Sequence, residues 1–212
     1  MSQRNWWKPG LVAALAAALA ATACKGGEQA KTTPAGGAGT VSGEGTPSPA
    51  NSTATARTTT GRNLTDPNII ALVDEANTAE IDLGNFAATK AKNAQVKDFA
   101  RTMVAEHTGL REDERKLAQR LNLTPQPPPG DNMAGAARSA MDSLRNVPQG
   151  PAFDKAYIDH EVTEHQAVID TVQTLIGQAT TPQVKGMLEN SVPVLQKHLT
   201  RAKAIQSTLG SR

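Results

Sequence analysis

Residues 96–110, VKDFARTMVAEHTGL, contain the pattern that decides the fold predicted for this chain. From Val96 to Leu110 the apolar residues recur at alternating spacings of four and three, which places them on one face of an α-helix. His107 interrupts this face. Because a buried imidazole costs free energy unless it is hydrogen-bonded or binds a metal ion, His107 is the first candidate functional residue.

Three further segments show the same helical spacing, over residues 69–87, 158–176 and 184–209. Each of these apolar stripes also carries an ionisable residue, and these residues are Glu80, His165 and His198. Two helical hairpins joined by a longer connection predict an all-α fold, a ferritin-like antiparallel four-helix bundle.

The connection between the second and third long helices contains a shorter helical pattern. Asp131 can cap this helix and Pro148 ends it, and we interpret it as a short crossover helix. The connection is long enough for an up-down-up-down bundle or for a ferritin-like crossover, and we favour the crossover. We expect Asp66 to be the N-cap of the first long helix because Pro67 follows it. The bundle domain is assigned to residues 66–212.

Residues 1–23 have the composition of a secretory signal peptide, with cationic residues before an apolar run and small residues after it. The run is shorter than the roughly 20 apolar residues that a transmembrane helix needs. Cys24, the only cysteine, follows directly. The segment Ala21-Thr22-Ala23-Cys24 resembles the lipobox of bacterial lipoproteins, which implies lipidation of Cys24. The alternative is secretion with cleavage near Ala23 and a free thiol.

Residues 24–65 comprise Cys24 and a segment rich in Gly, Thr, Ser, Pro and Ala. This segment contains too little apolar surface to offset the entropy lost on folding, and we expect a disordered tether. Without residues 1–23 the chain has 20 basic and 20 acidic residues. Balanced charge with few aromatic residues argues against nucleic acid as a partner.

The four ionisable residues of the stripes are the candidate metal ligands. The rise of an α-helix places Glu80, His107 and His165 near one height at the middle of the bundle. His198 is expected to sit lower, and Glu161, one turn from His165, is a weaker candidate ligand at that level. Three imidazoles and a carboxylate could hold one transition metal ion, such as Zn, Fe, Mn or Cu(II).

The spacing of these residues also limits the metal chemistry. Di-iron bundles carry Glu-x-x-His motifs on two helices. The residues three positions before His107 and His198 are Val104 and Leu195, so a dinuclear ferroxidase is not expected. Met103, one turn before His107, is a further weaker candidate, and its thioether would favour copper.

The alternative to a metal site is a buried hydrogen-bond network that joins the three histidines and Glu80, with Tyr157 or a buried water. His160 lies outside the stripe, and we expect it to be solvated. The sequence contains no nucleophile with an adjacent base, no phosphate-binding loop and no cofactor motif. It therefore gives no support to an enzymatic activity.

Four motifs together carry a resemblance to a known family. They are Ala79-Glu80-x-x-Leu83-Gly84, Val96-Lys-x-Phe99-Ala100-x-x-Met103-Val104-x-x-His107, Phe153-x-x-x-Tyr157 through His165-Gln166, and Pro193-x-Leu195-Gln196-x-His198. The domain resembles a ferritin-like domain of unknown function found in bacterial outer-membrane and periplasmic lipoproteins. The resemblance implies the architecture and the compartment. It implies no particular activity, because the family has no established one. A remoter resemblance to periplasmic helical domains with Met-and-His motifs implies copper handling, but their paired histidines are absent here.

Two hypotheses follow. In the first, a bundle anchored to the membrane through lipidated Cys24 faces the periplasm and binds one transition metal ion, for metal handling or envelope stress. Lys25 after the cysteine favours the outer membrane. In the second, the polar core is structural and the exterior of the bundle contacts an envelope protein partner. The sequence predicts no oligomeric state.

Overall fold

The computed structural model describes residues 63–210, which form five α-helices and no β-strand. The helices are α1 (Asp66–Lys90), α2 (Ala94–Arg120), α3 (Met133–Asn146), α4 (Pro151–Gln178) and α5 (Pro182–Gly210). The predicted all-α bundle of four long helices and a short crossover helix is confirmed. The predicted signal peptide, Cys24 and the tether up to residue 62 lie outside the described residues. Between residues 63 and 210, no helix is both long enough and apolar enough to cross a bilayer.

The four long helices form two antiparallel hairpins, α1 with α2 and α4 with α5. α1 also packs beside α4 and α2 beside α5, so α1 and α5 lie diagonally opposite each other. The N–H of Leu64, before α1, donates to Gln178 at the end of α4 at 3.0 Å. Asp154, at the start of α4, accepts from the N–H of Lys92, after α1, at 2.9 Å. α2 and α4 therefore run in the same direction, and the connection between them returns along the bundle as the crossover predicts.

Asp66 joins the start of α1 to the turn between α4 and α5. Its carboxylate accepts hydrogen bonds from the N–H groups of Thr180 and Thr181, at 2.9 Å each, and from both hydroxyl groups. The prediction that Asp66 caps α1 was wrong by one residue. The N-cap is Thr65, whose N–H donates to the side chain of Asn68 at 3.1 Å. The Asp66 carboxylate instead accepts hydrogen bonds from the loop between α4 and α5.

Asp154 makes the equivalent contact at the other end of the bundle. Its carboxylate accepts from the N–H groups of Lys92 and Asn93, at 2.9 and 2.8 Å, in the turn between α1 and α2. The loop of each hairpin thus donates hydrogen bonds to an aspartate in the first helical turn of the other hairpin. These contacts fix α1 and α4 to each other at both ends.

The bundle interior consists of two apolar clusters with a polar layer between them. The first cluster contains Leu64, Ile69, Ile70, Leu72, Leu117, Ala118, Ile169, Val172, Leu175, Val184, Leu188, Leu195 and Leu199. The second contains Leu83, Ala87, Ala91, Val96, Phe99, Ala100, Met103, Leu144, Phe153, Tyr157, Ile158, Ala202 and Ile205. The buried polar layer contains Asn77, Glu80, His107, Glu114, Glu161, His165 and His198. Burial of so many polar groups is costly unless they are hydrogen-bonded or bind a ligand.

α1 and α2 approach each other closely at Gly84. A Cβ atom added to this residue would lie 2.9 Å from Cγ2 of Val104 and 3.0 Å from the carbonyl oxygen of Ala100. A neighbouring atom would have to move to accept it. The glycine therefore permits the close packing of the first hairpin.

α3 is only lightly packed, and Leu144 is its one buried residue. The helix lies against α1 and α4, and the Lys90 ammonium donates to the carbonyl oxygens of Leu144 and Arg145 at 3.0 and 2.7 Å. A cavity of about 1340 Å³ is lined by residues of all five helices. Its lining includes His107 and His165, so the polar layer can be reached from this cavity.

Candidate metal centre

Three histidines from three helices meet in the polar layer, and we call them the histidine cluster. They are His107 of α2, His165 of α4 and His198 of α5, and they are 3%, 1% and 1% exposed. Their ring centroids lie 5.2 to 5.8 Å apart. One ring nitrogen from each lies within 4.8 Å of the other two. The three histidines that interrupt the apolar stripes of the sequence are therefore brought together by the fold.

Asn77 sets the orientation and the tautomer of His107. Its amide nitrogen donates to Oε2 of Glu114 at 3.3 Å, which leaves Oδ1 facing Nδ1 of His107 at 2.9 Å. Since Oδ1 can only accept, the proton of His107 belongs on Nδ1. The lone pair of His107 is then on Nε2, the nitrogen that has no hydrogen-bond partner among residues 63–210.

The other two rings are held in the same way. Nδ1 of His165 donates to the carbonyl oxygen of Glu161 at 3.0 Å, and Nε2 of His198 donates to Glu106 at 2.9 Å. Glu106 also accepts from the Lys197 ammonium at 2.6 Å. The opposite nitrogens, Nε2 of His165 and Nδ1 of His198, have no hydrogen-bond partner within the described part of the chain. All three rings thus use one nitrogen as a donor and keep the other as a lone pair.

Burial keeps the rings of His107 and His198 neutral. It lowers the pKa of His107 well below the usual value, and the neighbouring imidazoles of His165 and His198 lower it further. Burial also lowers the pKa of His198 to about 4, although the hydrogen bond to Glu106 acts in the opposite direction. A metal ligand must be the neutral imidazole, so His107 and His198 are in the ligating form at neutral pH.

Glu80 of α1 and Glu161 of α4 form a second buried group, which we call the carboxylate pair. One oxygen from each lies within 4.8 Å of the other and of a ring nitrogen of His165. Nδ1 of His165 is 3.3 Å from Oε2 of Glu161. Burial raises the pKa of Glu161 to about 8 and that of Glu80 well above its usual range, and the charge of Glu161 adds to the effect on Glu80.

The structure divides the predicted four-residue ligand set in two. Glu80 meets Glu161 and His165, and it does not form one group with all three histidines. The reason is topological: α1 is diagonal to α5, and Asn77, one turn before Glu80, is the residue of α1 that reaches His107. The expectation that His198 sits lower was also wrong, since its ring is 5.2 Å from that of His107.

Residues 49–205 match the family model described as Domain of unknown function (DUF4142). The chain belongs to this family. The DUF4142 domain is similar in fold to a solved structure described as "CopM in the Cu(II)-bound form", with a TM-score of 0.53 and 17% sequence identity. The match covers 68% of this chain and 98% of that chain. At this identity the likeness shows the fold alone. No curated protein matches the sequence.

The weaker candidates of the sequence have different surroundings. Met103 is fully buried in the second apolar cluster, beside the Phe99 region of α2. Tyr157 is fully buried as well, and its ring stacks on Phe153 with centroids 6.3 Å apart. His160 is half-buried and lines the cavity, and burial lowers its pKa to about 4, so the expectation of a solvated histidine was wrong.

Three residues of this DUF4142 site were not predicted, namely Asn77, Glu106 and Glu114. Glu114 had a signal, because it interrupts the apolar stripe of α2 like His107. Asn77 had a weaker signal: it lies seven residues after buried Ile70 and seven before Gly84, a spacing that places all three on one face of the helix. Glu106 had none, because it is a partly exposed glutamate next to His107 and becomes a partner only when α5 packs beside α2.

Proposed function

We propose that this DUF4142 domain binds one transition metal ion through Nε2 of His107, Nε2 of His165 and Nδ1 of His198. The observation that carries the proposal is the state of these nitrogens. They are buried and without hydrogen-bond partners among residues 63–210, and the opposite nitrogen of each ring is bonded to an acceptor. One nitrogen of each ring lies within 4.8 Å of a nitrogen of the other two. Metal-binding histidines have this arrangement, in which the outward N–H orients the ring and makes the ligand nitrogen more basic.

Copper and zinc are the ions that this ligand set suits best. Neutral imidazoles favour copper, zinc and iron, whereas manganese prefers oxygen ligands. The solved structure of CopM with a similar fold contains Cu(II), which makes copper the first ion to test. The cavity beside His107 and His165 leaves room for a water molecule or another small ligand as the fourth ligand.

The geometry gives less support to a purely structural network. In such a network the three imidazoles would donate to one another or to Glu80. Within residues 63–210, the donors of the cluster point outward to Asn77, Glu161 and Glu106, and the inner nitrogens are left without donors. A buried polar atom without a partner costs about 1–3 kcal/mol, and a bound cation removes this cost.

The cell envelope is the proposed location. The order of charged, apolar and small residues before Cys24 supports export and lipidation at this cysteine. We place the anchor in the outer membrane and the DUF4142 domain in the periplasm, at the end of the tether formed by residues 25–65. The proposed role is metal handling or protection in envelope stress, with an envelope protein as a partner that receives or delivers the ion.

Metal analysis of the full-length chain, purified in detergent and loaded with Cu(II), tests the proposal. We expect one tightly bound copper in the histidine cluster, with electron paramagnetic resonance (EPR) hyperfine structure from three nitrogen ligands. His107→Ala and His198→Ala should each remove this signal. His160→Ala is the matched control, since His160 is outside the cluster and should leave the signal unchanged.

Zinc, iron and manganese are loaded in parallel to establish preference. A failure of all four ions to bind would contradict the proposal. A copper signal that survives both His107→Ala and His198→Ala would contradict the assigned ligands.

A further inference from the structure

We infer that the carboxylate pair and His165 form a second cation site, so that the DUF4142 domain holds two metal ions side by side. The second ion is divalent and accepts oxygen ligands, as zinc and manganese do. The inference rests on the proposed function only through His165, whose ring both sites share.

Both members of the carboxylate pair are enclosed by the bundle. Glu161 is 0% exposed and Glu80 is 7% exposed. Both carboxylate oxygens of Glu161, and Oε2 of Glu80, have no hydrogen bond of good geometry with residues 63–210. Buried carboxylates are normally bonded to several donors or coordinate a cation. Three oxygens of the pair therefore lack a hydrogen bond of good geometry, although the Tyr157 hydroxyl and Nδ1 of His165 lie beside Glu161.

The charges around the pair also point to a cation. No lysine or arginine between residues 63 and 210 forms an ion pair with Glu80 or Glu161. A third carboxylate, that of Glu164, acts on the pair as a like charge. The groups facing the pair are completed by His165 and by the hydroxyl of buried Tyr157. A divalent ion that binds here takes the place of the protons that burial keeps on the two carboxyl groups.

His165 is placed to serve both sites. Its ring belongs both to the histidine cluster and to the group with Glu80 and Glu161, and its Nδ1 lies 3.3 Å from Oε2 of Glu161. Nδ1 carries a proton that it donates to the Glu161 carbonyl oxygen at 3.0 Å. Nδ1 becomes a ligand of the second ion only when this proton leaves to solvent, so binding of that ion releases one proton from His165.

The zinc content of the full-length chain tests the inference. After loading with excess Zn(II) and removal of free metal, we expect about two zinc ions per chain, and about one in Glu161→Gln and in Glu80→Gln. Glu75→Gln is the matched control. Glu75 also lies on α1, has an oxygen without a hydrogen-bond partner among residues 63–210 and a pKa raised by burial, but it faces Asp131 and not the carboxylate pair. This variant should keep both ions.

The variants separate this inference from the proposed function. A single zinc ion that is lost in His107→Ala and retained in Glu161→Gln overturns the second site and leaves the histidine site intact. A single zinc ion that is retained in His107→Ala and lost in Glu161→Gln overturns the histidine site. Two zinc ions in both Glu161→Gln and Glu80→Gln would show that the second ion lies elsewhere. Circular dichroism confirms that each variant is folded.

Loading with two equivalents of Cu(II) tests the shared ring. A bridging imidazole couples the spins of two copper ions, so the EPR intensity per bound copper should be lower in the wild type than in Glu161→Gln. Equal intensity per copper would contradict sharing of His165.

Discussion

At the scale of single residues, the direction of one amide determines what His107 can do. Asn77 gives its NH₂ group to Glu114 and its oxygen to His107, so the imidazole must present Nε2 to the other two rings. Outer partners of this kind fix the orientation and the tautomer of a histidine ligand. The site therefore extends from α1 to α5, although the three nitrogens come from α2, α4 and α5.

Replacing Asn77 tests this role. Asn77→Leu keeps the shape of the side chain and removes the acceptor of His107, and we expect metal affinity to fall about 10–100-fold with little change in helix content. Competition with a chelator of known affinity measures the effect on Cu(II) and Zn(II). Asn190→Leu, on an exposed position of α5, is the control and should bind as the wild type. Unchanged affinity in Asn77→Leu would show that His107 needs no orienting partner.

The sequence predicts the histidines of the site better than their partners. His107, His165 and His198 each interrupt an apolar stripe, and the periodicity of one helix is enough to reveal that. Whether Glu80 or Asn77 faces His107 depends on the axial offset between α1 and α2, because these two residues lie one helical turn apart on α1. That offset results from packing between helices, which no single segment encodes.

At the scale of helices, the two sides of α1 differ. Its contact with α2 is extensive and includes the close approach at Gly84, while its contact with α4 is sparse between the two ends. α3 and the cavity occupy that side. The first hairpin thus acts as a rigid unit, and the interior is accessible between the hairpins.

Gly84→Ala tests the rigidity of the first hairpin. An added methyl group would meet Val104 and the Ala100 carbonyl at 2.9 and 3.0 Å, and we expect a loss of about 1–3 kcal/mol in the free energy of unfolding. Gly109→Ala is the control, because a Cβ atom at this helical position has no neighbour within 4 Å. It should stabilise the protein by about 0.5–1 kcal/mol. Urea denaturation measures both, and equal changes would contradict close packing at Gly84.

Helix positions were predictable from the sequence because period, caps and prolines are local, whereas the topology was left between two alternatives. The prolines of the connection after α2 and those around residue 150 separate the hairpins, and the length of the connection permits the crossover. The N-cap of α1 was not predictable to the residue. Asp66 and Thr65 are both good caps, and the choice depends on Thr180 and Thr181, which are distant in sequence.

At the scale of the whole molecule, stability depends on contacts between the hairpins at the two ends. The pKa of Asp66 is below its usual value of 3.8, because hydrogen bonds from Thr181 and Thr180 outweigh the effect of burial, which would raise it. A lowered pKa in the folded state means that the carboxylate stabilises the fold at pH values above about 4. This contribution is lost as the pH falls through the folded-state pKa.

Asp66→Asn tests this contribution. At pH 7 we expect the variant to lose about 1.5–3 kcal/mol in the free energy of unfolding, since hydrogen bonds to a charged group become bonds to a neutral one. Below pH 4 the wild type should lose stability more steeply than the variant, so that the two curves approach each other. Urea denaturation from pH 7 to pH 2 measures this. Asp113→Asn, at an exposed position, is the control, and parallel curves for wild type and Asp66→Asn would contradict the role of Asp66.

The aspartate contacts have a mechanical consequence for the groove between α1 and α4. Two helices that are joined at both ends can separate most at their middle, the mid-span, and least at the joined ends. Mid-span is where Glu80 and His165 lie, and the element that crosses the groove there, α3, buries only Leu144. Bending of this kind would give an ion a lateral route to the proposed ligands while the ends of the bundle keep their register.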